Sequence, residues 1–70
     1  MENNETMISI IMPAYNSEKY ISKAVESVCN QSHEKWELLI VDDGSTDSTP
    51  EIIDDYAKAD SRIKVFHKKN

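Results

Sequence analysis

An uninterrupted apolar run that ends in two acids constrains the fold most strongly: Leu38 to Val41, followed by Asp42 and Asp43. A strand with one wet face alternates apolar and polar residues, whereas a strand covered on both faces can be apolar throughout. Strands of the second kind occur in parallel sheets, whose helical crossovers pack against the sheet. The run therefore predicts the inner strand of a parallel α/β sheet.

The other segments complete a β-α-β-α-β order. Apolar, β-branched residues predict strands over 7–13, 36–43 and 62–66, and Lys64 within the last suits an edge strand. Helical crossovers join parallel strands with right-handed connections, so we predict a parallel three-stranded sheet. We expect the order 3-2-1, in which both crossovers step in the same direction. This is half of a Rossmann-like nucleotide-binding sheet, with both helices on one face.

Apolar residues at helical spacing define both helices. The first is expected to run from Ser17, as its N-cap, to about Gln31, and the second to end near Lys58. The second begins in "STPE" (48–51). This segment is either a capping box from its serine to its glutamate, or a threonine cap followed by proline.

The predicted order leaves one sheet face without helices and one edge of the first strand unpaired. Alternate strand residues or their neighbours would be exposed there, among them Ile8, Ile10, Met12, Leu38 and Ile40. Free edges and exposed apolar patches favour association. We therefore expect the chain either to be part of a larger domain or to self-associate through the uncovered face or edge.

Charge and composition narrow the function classes. The formal net charge of −5, from 13 acids and 8 bases, disfavours a nucleic-acid partner. Residues 1–6 are polar, unlike a signal peptide, and are expected to be a disordered lead-in. No apolar run approaches the ~20 residues of a membrane span. A cytoplasmic location is expected, with membrane association of a full-length protein left open.

Two loops carry the candidate binding residues. Ligands of open parallel sheets lie beyond the carboxyl ends of the strands, where "PAYN" (13–16) and "DDG" (42–44) should face each other. The Tyr15 ring can stack on a planar base, and the Pro13 carbonyl is free to accept a hydrogen bond. Asn16 is expected to cap or orient the turn. A tyrosine that simply packs over the sheet end remains an alternative.

The second loop supplies carboxylates. Asp42 and Asp43 suit a base N–H, a ribose hydroxyl or a divalent metal, and strand alternation should send their side chains in opposite directions. Gly44, the only glycine, permits positive φ and a close ligand approach. Ordinary strand-end capping by the aspartates and an ordinary turn glycine remain open alternatives.

The other polar residues carry weaker signals. His33 and His67 are expected to be solvated rather than catalytic, and Asp54 to lie on a solvated helix face. Cys29, the only cysteine, is expected to be a buried, inert thiol, and Trp36 a packing residue. No GxGxxG or P-loop glycine pattern is present, which disfavours a dinucleotide or Walker-type phosphate site.

The stretch from Ile8 to Phe66 resembles the start of the family 2 glycosyltransferases, inverting enzymes of GT-A fold. "PAYN", "YISKAVESVCNQS", "WELLIVDDGSTD" and "STPEIIDDYA" carry the resemblance. It implies that residues 7–70 are the incomplete N-terminal part of such a domain. It also implies a nucleotide-diphosphate-sugar donor, usually a UDP-sugar, and transfer to the hydroxyl of an acceptor saccharide or other hydroxyl compound.

The resemblance also implies roles within the site. It places the Tyr15 ring against the base with the Pro13 backbone beside it. It places Asp43 on the base N–H, and Asp42 nearby in support of the ribose or the loop. The full set implied for the nucleotide-sugar site is Pro13, Ala14, Tyr15, Asn16, Asp42, Asp43 and Gly44.

The resemblance places two further features of such enzymes beyond Asn70. One is the D-x-D motif that binds a divalent Mg or Mn ion, and the other is the base that deprotonates the acceptor. "DDGSTD" is not that motif. We therefore expect a divalent metal in the complete enzyme, no catalytic or metal-binding residue in this chain, and no sugar transfer by the chain alone.

Two other function classes compete with this interpretation. A non-catalytic nucleotide-binding or oligomerising module would use the same loops or the bare sheet face. A receiver-like signalling domain would carry its acidic pair after the first strand and a phosphoacceptor aspartate after a later one. Here those strands end in "MPAYN" and "VFHKKN", which disfavours the receiver.

Overall fold

Residues 6–69, the part of the chain that the structure describes, form the predicted β-α-β-α-β order in this computed structural model. The elements are β1 (Ile8–Ala14), α1 (Ile21–Cys29), β2 (Trp36–Asp43), α2 (Thr49–Ala59) and β3 (Ile63–Lys68). Both β1 and β3 pair with β2 in parallel, in the order β1-β2-β3. This confirms the predicted fold class and the 3-2-1 order. Residues 1–5 of the expected lead-in lie outside the described residues.

The core lies between the sheet and the two helices. Strand alternation points Leu38 and Ile40 of β2 toward the helices, where both are fully buried. Val25 of α1 and Ile53 of α2 meet them from the helical side, as their spacing predicts. Trp36 is buried at the start of β2, which confirms its role as a packing residue.

The opposite face of the sheet carries no helix among the described residues. Leu39 and Val41 of β2 are half-buried there and alternate with buried neighbours, so the continuous apolar run does not lie in a strand covered on both faces within residues 6–69. Ile11 of β1 is 69% exposed and Phe66 of β3 is 51% exposed. In the register, Leu39 pairs with Ile11 and Val41 with Phe66. We call these four residues the open face.

The prediction of exposed apolar strand residues is therefore confirmed for the neighbours of the named β2 residues. Leu38 and Ile40 themselves are buried under the helices, and the predicted Ile10 and Met12 of β1 are partly buried against the same core. Successive side chains of a strand point to opposite faces of the sheet, and the face on which the helices pack determines which of the two sets is buried. Both β1 and β3 are edges of this sheet, which fits Pro13 in one and Lys64 in the other.

The start of α1 differs from the prediction. The helix begins at Ile21 with Tyr20 as its N-cap residue, and it ends at Cys29. Ser17 is not the cap, because its Oγ donates to the Tyr15 carbonyl at 3.0 Å. Its own carbonyl accepts the N–H groups of the two residues at the helix start. The serine therefore closes the turn that precedes the helix.

The start of α2 also differs in its capping. Ser48 is the N-cap residue but makes no side-chain cap bond, so the capping box with Glu51 is wrong. Asp47 takes that role, since its Oδ1 accepts the Thr49 N–H at 2.9 Å. The alternative of a Thr49 cap is wrong as well, because Thr49 is the first residue of α2, and Pro50 follows it in the first turn.

Strand β3 continues two residues beyond the predicted end at Phe66, to Lys68. Its last two residues, His67 and Lys68, pair with Asp42 and Asp43 of β2. The extension brings a histidine to the carboxyl end of the sheet. Within residues 6–69, neither helix combines the length and apolarity that a membrane crossing needs.

Candidate functional site

The loops after β1 and β2 are joined directly by hydrogen bonds. Asn16 Oδ1 accepts the Thr46 N–H at 2.8 Å, and the Asn16 N–H donates to Ser45 Oγ at 2.9 Å. Asn16 has φ of 47°, a left-handed conformation that asparagine tolerates better than most residues. The two loops thus lie side by side, as predicted, and Asn16 orients the turn between strand and helix.

A second set of contacts joins the loops near the helix starts. The Ser17 N–H donates to the buried Thr49 Oγ1 at 2.8 Å, and the Glu18 N–H donates to Asp47 Oδ2 at 3.2 Å. Glu18 Oε1 in turn accepts the Ser48 N–H at 2.8 Å. Desolvation opposes ionisation of Asp47, but hydrogen bonds from Thr49 and Glu18 outweigh it and lower its pKa. These bonds fix the backbone of both loops before any ligand binds.

Tyr15 and Asp43 present exposed side chains at this edge of the sheet. Tyr15 is 51% exposed, while its N–H donates to Ser17 Oγ at 3.3 Å. Asp43 is exposed at the last position of β2. Gly44 follows with φ of 74°, the left-handed value that glycine adopts without strain. An aromatic ring and a carboxylate thus lie at the ends of neighbouring strands, accessible to a ligand.

Ala14 and Asp42 point the other way. They pair in the β1–β2 register, and both are buried, with Asp42 only 3% exposed. The predicted divergence of the two aspartates is confirmed, since Asp42 faces the helix layer and Asp43 the opposite side. Ala14 offers a ligand its backbone only. Pro13 is exposed on the same face as Asp43.

Protein groups engage both carboxylate oxygens of Asp42. Its Oδ1 accepts the Ser45 N–H at 3.0 Å, and its Oδ2 lies 2.8 Å from His67 Nδ1. The other ring nitrogen, His67 Nε2, lies 2.9 Å from Asp54 Oδ1 of α2. His67 and Asp54 are partly exposed, as expected, with 43% and 49% of their side chains accessible, but they also bond to protein groups, which the sequence did not predict. We call Asp42, His67 and Asp54 the carboxylate–histidine bridge.

The pKa values of the bridge shift in opposite directions. Hydrogen bonds to Asp42 and then Asp54 raise the pKa of His67 above its ordinary 6.5. Burial opposes ionisation of Asp42, but hydrogen bonds from Ser45 and His67 outweigh it and lower its pKa below 3.8. The arrangement favours an imidazolium between ionised carboxylates.

Sequence reasoning missed this bridge because it joins three elements. The available signal was the alternation of Ile63, Val65 and His67, which places the histidine on the helix-facing side once β3 is extended to Lys68. Its alignment with Asp42 depends on the register between β2 and β3, which one sequence does not reveal.

The loops do not fit a metal site. No group of three or more His, Cys, Asp or Glu side chains within residues 6–69 could hold a metal ion. Asp42 already uses both oxygens on Ser45 and His67, and Asp47 uses both on Thr49 and Glu18.

A separate open depression of about 490 Å³ lies at the other end of the sheet. The Arg62 guanidinium stacks over Trp36 there, 3.8 Å from the ring centroid. Cys29 borders it and is partly buried against the core, consistent with a packing thiol. His33 also borders it, and its Nε2 lies 2.9 Å from the Thr6 carbonyl. This depression shares no lining residue with the two loops.

The family profile described as "Glycosyl transferase family 2" matches residues 9–70. The chain belongs to this family. It is 48% identical over 67 residues to the putative teichuronic acid biosynthesis glycosyltransferase TuaG of Bacillus subtilis, an alignment that covers 96% of this chain and 27% of TuaG. It is 44% identical over 63 residues to the putative glycosyltransferase EpsH of the same organism, covering 90% of this chain and 18% of EpsH.

A solved structure also matches this family 2 chain. It is the mannosyltransferase PcManGT from Pyrobaculum calidifontis, in complex with GDP-Man and Mn²⁺. The TM-score is 0.80 at 24% identity, over 90% of this chain and 20% of that one. The likeness confirms the GT-A type of fold. The chain thus spans about a quarter or less of the length of these relatives.

Proposed function

We propose that this chain is the donor-binding part of a glycosyltransferase that moves a sugar from a nucleotide-diphosphate donor to an acceptor hydroxyl. The observation that carries the proposal is the joined pair of loops, with Tyr15 and Asp43 exposed at the ends of adjacent parallel strands. Ligands of open parallel sheets bind at this edge. The family assignment and the GDP-Man bound by the structural neighbour support a nucleotide-sugar donor.

Each proposed nucleotide contact has a physical basis. The half-exposed Tyr15 ring stacks on the base, and an ionised Asp43 accepts a base N–H. The Pro13 carbonyl lies beside the base, and Gly44 lets the ligand approach the backbone closely. Ala14 and Asn16 contribute backbone and turn geometry. We propose UDP as the nucleotide, as the family resemblance implies, with the uracil ring N–H donating a hydrogen bond to an Asp43 carboxylate oxygen.

The diphosphate needs partners other than these carboxylates, since like charges repel. The two loops do not fit a metal site, so we propose that a divalent ion serving the complete enzyme is held by other residues. The same applies to the base that activates the acceptor oxygen for inverting displacement at the anomeric carbon. We accordingly expect the 70-residue chain to bind nucleotide without transferring sugar.

The acceptor is proposed to be a growing saccharide. The name of TuaG, a putative teichuronic acid biosynthesis enzyme, supports this class. A second candidate function is a non-catalytic module that associates with itself. The open face, with Ile11 and Phe66 largely exposed, favours that role alongside nucleotide binding.

Calorimetric titration with UDP tests the donor site. Replacing Tyr15→Ala removes a stacking contact worth about 1–3 kcal/mol, so affinity should fall by roughly 5- to 150-fold. Asp43→Asn should cost a similar factor because it removes the charged acceptor. Asp55→Asn is the matched control for the acid, since it replaces an exposed aspartate of α2 outside both loops. An equal loss in this control, or none in the site variants, would refute the assignment.

A further inference from the structure

The carboxylate–histidine bridge lies directly behind the candidate donor site. His67 of β3 bonds to Asp42 at the end of β2 and to Asp54 of α2. Asp42 in turn accepts the Ser45 N–H, the first amide after the left-handed Gly44. Asp43, the proposed base partner, lies between that carboxylate and that glycine in the chain. The bridge therefore connects two elements outside the loops to the turn that orients the ligand-facing acid.

We propose that His67 is a positioning residue for the donor site, because it holds the buried Asp42 carboxylate that fixes the turn at Gly44 and Ser45. The proposal rests on the proposed function only in naming the ligand that this turn serves. His67 does not itself touch the nucleotide. It acts through Asp42, which is 3% exposed and faces away from Asp43.

The hydrogen bonds of the bridge depend on whether the His67 ring is protonated. Both partners of the ring are carboxylates, which only accept when ionised, so both ring nitrogens must carry a proton to satisfy them. A neutral imidazole has one N–H and serves one carboxylate. Asp42 is buried whereas the Asp54 side chain is 49% exposed and can bond to water, so the neutral ring should keep Asp42 and release Asp54. Loss of the proton thus frees the ring on its α2 side.

Few other charges face the ring. Asp42 from β2 and Asp54 from α2 are the charged groups that bond to it among the described residues. Lys68 follows it in β3 and points to the opposite sheet face by strand alternation, as Asp43 does in β2. The two carboxylates therefore dominate the field at the imidazole, and the pKa of His67 is raised accordingly.

Three variants separate positioning from simple packing. His67→Phe keeps a planar ring and removes both donors, while His67→Gln restores one donor. His33→Phe is the matched control, because it removes the other histidine at the opposite end of the sheet. His67 is exposed and sits in an edge strand, so these variants should fold. The readout is the hydrogen-exchange protection factor of the Ser45 amide in the 70-residue chain, with UDP affinity measured in parallel.

The expected order of Ser45 protection is wild type and His33→Phe together, then His67→Gln, then His67→Phe. The last should lose roughly tenfold, the size of one charge-assisted hydrogen bond. In wild type, protection and UDP affinity should both fall as pH rises through the His67 pKa measured by NMR, but by less than in His67→Phe, because the neutral ring still donates to Asp42 while it loses its charge and its anchor on Asp54. That pH step should be absent from both His67 variants and retained in His33→Phe.

The positioning role of His67 and the donor-site proposal can fail separately. Unchanged Ser45 protection in a folded His67→Phe chain would overturn the positioning role, whatever UDP does. If wild type binds no UDP but Ser45 protection follows the expected order, the donor-site proposal fails and the control of the turn by His67 stands.

Discussion

Two neighbouring aspartates end β2, and their surroundings give them different roles. Asp42 is buried and accepts hydrogen bonds on both oxygens, from Ser45 and His67. Asp43 is exposed on the other side of the strand. The pair shows why a shared side-chain type does not mean a shared function at a strand end. One acid builds the turn, and the other is available to a ligand.

Substituting each acid by asparagine should separate these roles. Asp42→Asn keeps an acceptor for the Ser45 N–H but faces the His67 ring with an amide donor, which only a neutral ring can accept, so loss of the charge-assisted hydrogen bond should cost about 1–3 kcal/mol of unfolding free energy. Asp43→Asn should change stability by less than about 0.5 kcal/mol, as exposed substitutions usually do. Urea unfolding of both variants gives the comparison. Equal destabilisation by the two changes would contradict the burial difference.

The bridge also predicts a pH dependence of stability. The pKa of His67 is raised in the folded chain above 6.5, so its contribution is complete below that pH and is lost as pH rises through the folded value. The pKa of Asp42 is lowered, so its contribution is present above about 3.8 and is lost as pH falls through the folded value. The window of full stabilisation lies between these limits.

Urea midpoints of unfolding at pH 6 and pH 9 test the part of this pH dependence that is due to His67. The difference in urea midpoint between wild type and His67→Phe should be larger at pH 6, because the wild-type imidazolium then donates hydrogen bonds to both carboxylates. His33→Phe should show no such change of the difference between the two pH values. A difference that stays constant or widens at pH 9 would mean that the bridge does not gain from protonation.

At the scale of elements, the two loops behave as one unit held by Asn16. Its left-handed backbone and its amide oxygen serve different purposes, and two variants separate them. Asn16→Gly keeps the conformation and loses the acceptor for the Thr46 N–H, which should cost about 1 kcal/mol. Asn16→Ala should cost about 1–2 kcal/mol more, because alanine resists positive φ. Equal costs in urea unfolding would show that the conformation carries no strain.

The elements themselves were largely predictable, and their ends were not. Periodic apolar residues such as Val25 and Ile53 locate the helices, because burial of one face gives a repeating signal. The first helix was predicted to begin after Ser17, but the Ser17 hydroxyl bonds to the Tyr15 carbonyl instead of capping a helix N–H. Asp47 replaced Ser48 as the capping side chain. These choices depend on contacts between loops that are distant in sequence.

The candidate site shows the same division. The residues of "PAYN" and "DDG" could be named because parallel strands bring their carboxyl ends to one edge. Alternation along the strands places Ala14 and Asp42 on one face of the sheet and Asp43 on the other. Because the helices pack on the first of these faces, Ala14 and Asp42 are buried. The His67 contact could not be found, because it depends on the register of β3 against β2.

At the scale of the whole molecule, the open face is unfavourable for a monomer in water, because it exposes apolar side chains to the solvent. Ile11, Leu39, Val41 and Phe66 form it. We expect concentration-dependent self-association in sedimentation experiments, and Phe66→Lys should weaken it by placing a charge among Lys64 and Lys68. Tyr20→Lys, at a 72% exposed position in the loop before α1, is the control. Identical behaviour of wild type and Phe66→Lys would contradict association through this face.

Our main proposal is that the two joined loops bind the nucleotide of a sugar donor. An NMR titration of the chain with UDP, with GDP as a parallel ligand, tests this binding directly. We expect saturable shifts at Tyr15, Asp43 and Gly44, with smaller changes around His33 at the far end of the sheet. Shifts confined to the far end, or none at the two loops with either nucleotide, would contradict it.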